Sequence, residues 1–173
     1  PNGNVTMCCN NDTVLGNVNE QPIDEIWNGE GFTRMRKRMT EEGAHAFCPH
    51  TCPVLQGGKK YENLDWYQDL DPEGPIRQNA EQNEAEFTVQ KTTLESKPRW
   101  VRFTYSYACN LDCYHCYQRE DATLSHKLPE DFMAQLPEYV ETAQIVYPFG
   151  GEPFFFKPVI DFQLSNFERH SSS

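Results

Sequence analysis

Cys109-Asn110-Leu111-Asp112-Cys113-Tyr114-His115-Cys116 is the stretch from which the rest of the chain is read. Its cysteines are spaced C-x3-C-x2-C and follow directly on Trp100-Val101-Arg102-Phe103-Thr104-Tyr105-Ser106-Tyr107, an aromatic and β-branched run that predicts a strand. Three thiols on one short loop can converge on one metal centre. Thiolates are soft ligands that select zinc, copper(I) or iron–sulfur clusters, and a closed structural zinc site wants a fourth ligand. His115 is the nearest other donor. A four-iron cubane held by three cysteines has one iron left open for a substrate or cofactor.

A second short strand is expected at Ile145-Val146-Tyr147-Pro148-Phe149, and it runs into Gly150-Gly151-Glu152-Pro153. Two glycines allow a ligand close to the main chain, and the Glu152 carboxylate can accept hydrogen bonds from an ammonium group. A strand that ends in this way is a candidate amine-binding edge. Either motif alone is ambiguous, because the cysteine spacing also suits a zinc loop and glycines with proline punctuate any loop.

In this order, each after a strand, the two motifs resemble the radical S-adenosylmethionine enzymes over roughly Lys97 to Phe167. The resemblance implies that Cys109, Cys113 and Cys116 hold a 4Fe-4S cluster whose open iron chelates the amino and carboxylate groups of S-adenosylmethionine. It implies that Gly150, Gly151, Glu152 and Pro153 receive the methionine amino group, and that His115 lies near the adenine. It also implies reductive cleavage to a 5′-deoxyadenosyl radical, fed by a low-potential electron donor such as ferredoxin or flavodoxin. The family's fold is a partial (β/α)6 TIM-like barrel. The expected core, 97–173, is therefore an α/β segment with a parallel sheet whose chemistry lies at the carboxyl ends of its strands.

The first block, 1–58, reads as a small irregular α+β cysteine-rich module. A turn at Gly3-Asn4, a strand at Val5-Thr6-Met7, helices over Ile23–Trp27 and Phe32–Met39, and a stop at Gly43 are expected. Arg34, Arg36, Lys37 and Arg38 read as a solvated face, and Trp27 as core. Cys8-Cys9 and Cys48-Pro49-His50-Thr51-Cys52 bracket the block. This arrangement resembles the auxiliary modules called SPASM or twitch. The resemblance implies that Cys48, Cys52 and one or both of Cys8 and Cys9 ligate an auxiliary iron–sulfur cluster; a small zinc knot is the alternative. Such modules usually follow a radical core, whereas this one precedes it. Enzymes with the module often modify peptides or proteins, so a polypeptide substrate is implied.

Composition bounds the partners. In 173 residues the hydrophobic fraction of 38% suffices for a core, and a formal charge of −11 argues against nucleic acid or an anionic membrane. No apolar run approaches the roughly 18 residues of a membrane span. Pro1 is followed by no basic, apolar leader, so no secretory signal is expected. An odd cysteine count of 7, with a vicinal pair and two tight clusters, fits a reducing, cytoplasmic setting with metal sites.

Residues 59–96 read as an acidic polar linker without periodicity, anchored at its start by Leu64, Trp66, Tyr67 and Leu70. After the cysteine loop, a helix is expected from Pro129 to Thr142 with a kink or restart at Pro137, and another over Pro158–Phe167. Six strand-helix units at about 30 residues each exceed what Trp100 to Ser173 supplies. The expectation is the first two βα units only: a truncated core that is inactive alone, with Ser171–Ser173 as a tail. A non-catalytic electron-transfer or structural protein with closed iron–sulfur or zinc sites is the reading from another class.

Overall fold

The computed structural model describes residues 2–56, 74–116 and 126–170. The anchors expected at Leu64, Trp66, Tyr67 and Leu70, and the tail at Ser171–Ser173, lie outside the described residues.

In the N-terminal block, strand β1 (Asn4–Val5) pairs antiparallel with β2 (Gly16–Asn17), with Val5 opposite Gly16. Helix α1 (Ile23–Trp27) starts after Pro22 with Asp24 and Glu25 complementing its dipole. Helix α2 (Glu30–Glu42) is longer than expected at both ends and stops at Gly43. Leu15, Ile26, Phe32 and Met35 form a small core, with Trp27, Met39 and Phe47 packed against it. Arg34 pairs with Glu30 at 2.8 Å and Arg38 with Glu42 at 3.1 Å, both exposed i,i+4 pairs of the solvated face. Arg36 departs from that reading. Its guanidinium lies 4.2 Å from the Trp27 ring centroid and donates to the Thr92 carbonyl at 2.9 Å. Burial lowers its pKa to about 10, and the Glu86 carboxylate opposes that shift.

A short helix α3 (Pro53–Gln56) closes the block. Part of the expected linker is instead helix α4 (Pro75–Thr88), entered through Pro75 in its first turn. The correction has a physical reason. Asn79, Asn83 and Glu86 recur at helical spacing, but this inward stripe is polar and binds backbone and side chain of the following loop. Asn79 accepts from Lys97 N at 2.7 Å and donates to the Lys97 and Thr142 carbonyls, both at 3.1 Å. Asn83 donates to Ser96 Oγ at 3.0 Å. Glu86, 1% exposed, accepts from Glu95 N at 2.8 Å and Ser96 N at 3.1 Å. Its burial would raise its pKa, but hydrogen bonds from Ser96, Glu95 and Gln82 win and bring it down to about 2.

Strand β3 (Trp100–Thr104) and strand β4 (Ile145–Phe149) are parallel, in register from Trp100 opposite Ile145 to Thr104 opposite Phe149. Helix α5 (Glu130–Val140) runs through Pro137 as one element, and helix α6 (Lys157–His170) follows β4. The order strand, helix, strand, helix therefore appears as expected, and the described residues form no closed barrel. One sheet face is covered: Phe103 and Tyr105 pack with Phe132, Leu136 and Val140 of α5 and with Phe156, Val159 and Phe162. Phe103 meets Phe132 and Phe162 edge-on, at 5.9 and 5.7 Å between ring centroids. Each such buried side chain contributes about 1.5–3 kcal/mol. The other face carries Trp100, Arg102, Thr104, Tyr147 and Phe149.

The N-terminal block docks onto the later segment through directional bonds. Trp27 Nε1 donates to the Ser96 carbonyl at 2.7 Å. Asn28 and Leu94 exchange bonds of 2.8 and 2.9 Å, and Ile23 N donates to Gln135 Oε1 at 3.0 Å. The Tyr139 hydroxyl donates to Asp24, and burial followed by that carboxylate pushes its pKa up. Among the described residues no helix is long and apolar enough to cross a membrane.

Candidate metal centres

The two motifs of the later segment meet at the carboxyl ends of β3 and β4. Gly151 N donates to the Ser106 carbonyl at 3.1 Å, which seats the loop after β4 on the chain that leads into Cys109. The glycines are required by this close approach. A Cβ at Gly151 would lie 2.3 Å from the Ala108 carbonyl oxygen and 2.5 Å from that of Tyr107. One at Gly150 would lie 2.5 Å from the Ser106 carbonyl oxygen. Ser106 Oγ accepts from Ala108 N at 3.2 Å, and Leu128 N donates to the Tyr105 carbonyl at 3.0 Å, so both sides of the cysteine loop are tied to its strand.

On the loop, Cys109 and Cys113 are exposed and Cys116 is half-buried, all as free thiols. Cys109 Sγ accepts from Leu111 N at 3.3 Å, and Cys116 N donates to the Cys113 carbonyl at 3.1 Å, so the last two cysteines sit on one turn. His115 is exposed. Glu152 caps the short 3-10 helix Pro153–Phe155, with one oxygen accepting from Phe154 N at 3.0 Å. Its other oxygen has no partner among the described residues.

In the N-terminal block, Cys8 and Cys9 are exposed, Cys48 is half-buried and Cys52 is buried. Burial first, then the neighbouring Cys52 and Cys8, push the pKa of the Cys48 thiol up. Cys8 and Cys9 both lie at the N-terminal end of the block, and either can supply a further thiol. Asn11, which sequence reasoning missed, ties the turn after Cys8 to the residue before Cys48. Its side chain, buried at 6% exposure, donates to the Phe47 carbonyl beside Cys48 and accepts from Thr13 N at 2.8 Å. Asn11 N also donates to the Cys8 carbonyl at 3.3 Å. The available signal was an asparagine suited to an Asx turn just after a cysteine pair.

Among the described residues, no group of three or more His, Cys, Asp or Glu is drawn close enough to hold a metal ion. The donor chemistry of both sets nevertheless fits an iron–sulfur cluster: three thiols on the loop after β3, and the thiols of Cys8, Cys9, Cys48 and Cys52 in the N-terminal block. A cleft of about 710 Å³ joins the two regions, with Cys8 and Cys9 on one wall and Trp100, Arg102 and Phe149 of the open sheet face on the other.

Compared with known families, residues 1–53 match the model of SPASM, an iron-sulfur cluster-binding domain. The matched span contains Cys8, Cys9, Cys48 and Cys52, and it supports the auxiliary cluster module read from their arrangement. No curated protein and no solved structure matches the chain.

Proposed function

We propose that this chain belongs to a radical S-adenosylmethionine enzyme that carries an auxiliary iron–sulfur module ahead of its catalytic segment. SPASM domains are typical of radical S-adenosylmethionine proteins, which supports the enzyme class. The observation that supports the reading is the seating of Gly150 and Gly151 on the Ser106–Ala108 backbone, which brings the glycine motif to the base of the three-thiol loop.

In this reading Cys109, Cys113 and Cys116 hold a 4Fe-4S cluster with one open iron, and Cys8, Cys48 and Cys52 hold the auxiliary cluster. The chemistry such a cluster supplies when bound is one-electron cleavage of S-adenosylmethionine to a 5′-deoxyadenosyl radical, with the electron drawn from a low-potential donor. The chain's own residues bind and orient. Glu152 accepts from the methionine ammonium, a charge-assisted bond stronger than a neutral one. Gly150 and Gly151 keep that edge free of side chains, Pro153 fixes the exit of the loop, and His115 lies beside the adenine. A polypeptide is the proposed substrate.

Iron, acid-labile sulfide and zinc analysis after anaerobic reconstitution tests the assignment. Cys113→Ala and Cys48→Ala are each expected to lose the iron of one cluster and keep the other. Zinc at both sites, or iron unaffected by either change, would overturn it.

A further inference from the structure

We infer that Arg102 anchors a single carboxylate on an otherwise apolar ligand, held in the cleft between the Cys8 turn and the open face of the β3–β4 sheet. That this ligand is the substrate rests on the proposed function; the anion site itself rests on the geometry alone.

Arg102 is the one charged residue among those that line the cleft. The cleft is also lined by Met7, Trp27, Trp100 and Phe149, so much of its wall is apolar. The Cζ atom lies 4.5 Å from the Phe149 ring centroid and 5.9 Å from that of Tyr147. Aromatic faces hold a guanidinium flat and leave its edge donors free to grip a planar anion in two-pronged fashion. Arg34, Arg38, Arg77, Lys97 and Lys157 each have a carboxylate partner. Arg102 has none among the described residues, in a chain whose formal charge is −11. Arg36 also lacks a carboxylate partner, but its guanidinium donates to the Thr92 carbonyl; Arg102, exposed at a cleft with no acidic lining, is matched to an anion from outside the chain. One positive charge balances one carboxylate, whereas a phosphate monoester brings nearly two negative charges and calls for a second cation.

The test uses two fluorescent probes of the same apolar body, pyrenebutyrate and the neutral pyrenebutanol, titrated into the full chain and into Arg102→Gln and Arg102→Lys. Wild type is expected to bind the carboxylate about tenfold or more tightly than the alcohol, the ratio a charge-assisted hydrogen bond gives. Arg102→Gln is expected to bind both alike, and Arg102→Lys to keep part of the preference. Arg102 is exposed, so an unchanged unfolding midpoint serves as the folding control. Equal binding of the two probes by wild type, or a preference that survives in Arg102→Gln, would overturn the site. The same titration on cluster-reconstituted protein, with and without S-adenosylmethionine, separates the two sources of carboxylate. Retention of pyrenebutyrate supports a substrate carboxylate, and its competitive release assigns Arg102 to the cofactor and overturns the substrate assignment. Because the first comparison needs no cluster, failed cluster assembly leaves its outcome readable.

Discussion

Replacing Gly151 with alanine puts a methyl carbon 2.3 Å from the Ala108 carbonyl oxygen and 2.5 Å from that of Tyr107. Ordinary contact begins near 3.4 Å, so one backbone must retreat by about 1 Å (3.4 − 2.3). Neither obstacle is the tip of a flexible side chain; both are main chain at the base of the cysteine loop. Overpacking of this kind costs about 1–3 kcal/mol. Stretching the Gly151 N to Ser106 carbonyl bond adds about 1 kcal/mol. A total of about 2–4 kcal/mol lowers the melting midpoint by roughly 5–15 °C in a chain of this size. Calorimetry gives the midpoint. The functional consequence is read separately, as weaker perturbation of the loop cluster by S-adenosylmethionine at equal iron content, because the amine-binding edge has moved off the loop. A Gly151→Ala variant with wild-type midpoint and wild-type response would refute the close seating of the two motifs.

Three further outcomes follow from the geometry. Glu86→Gln replaces a buried carboxylate whose pKa is lowered from 4.5 to about 2. Because the folded value lies below the unfolded one, about 3 kcal/mol is present above pH 4.5 and lost as pH falls toward 2. Urea midpoints measured against pH should lose this acid-side slope in the Glu86→Gln variant, which is also weaker by about 2–3 kcal/mol at neutral pH. Arg36→Ala removes the stack on Trp27 and the bond to Thr92 and costs about 1–3 kcal/mol, whereas Arg34→Ala on the exposed face leaves the urea midpoint in place. Asn11→Ala frees the Cys8 turn from Phe47, and iron analysis should show selective loss of auxiliary-cluster iron while the loop cluster is retained.

The segment from Trp100 onward was legible because its signals are local. Strand β4 runs over the same residues that the apolar run Ile145 to Phe149 marked, and β3 ends at Thr104 where a strand to Tyr107 was expected. The glycines after β4 were read as room for a ligand beside the main chain; what lies against them among the described residues is the Ser106–Ala108 backbone, a long-range contact that spacing does not disclose. Helix α4 was illegible for the opposite reason: its inward positions Asn79, Asn83 and Glu86 satisfy the loop from Glu95 to Lys97, so no apolar period marks it. Arg36 looked like its neighbours along α2 because nothing in the sequence reveals that Trp27 and Thr92 come together around it. The cleft depends on bonds such as Asn28 with Leu94 and Trp27 with Ser96, pairings between distant parts of the chain that composition and spacing do not disclose. The tie from Asn11 to Phe47 likewise joins parts of the chain that spacing does not bring together.

The electron paramagnetic resonance spectrum of the reconstituted, reduced protein, recorded with and without S-adenosylmethionine beside a Cys113→Ala control, tests the central claim most directly. The account predicts a cubane signal that shifts on addition of S-adenosylmethionine in wild type, with the shifting component absent in the control. A signal indifferent to S-adenosylmethionine in wild type, at full iron content, would contradict the open-iron site at Cys109, Cys113 and Cys116.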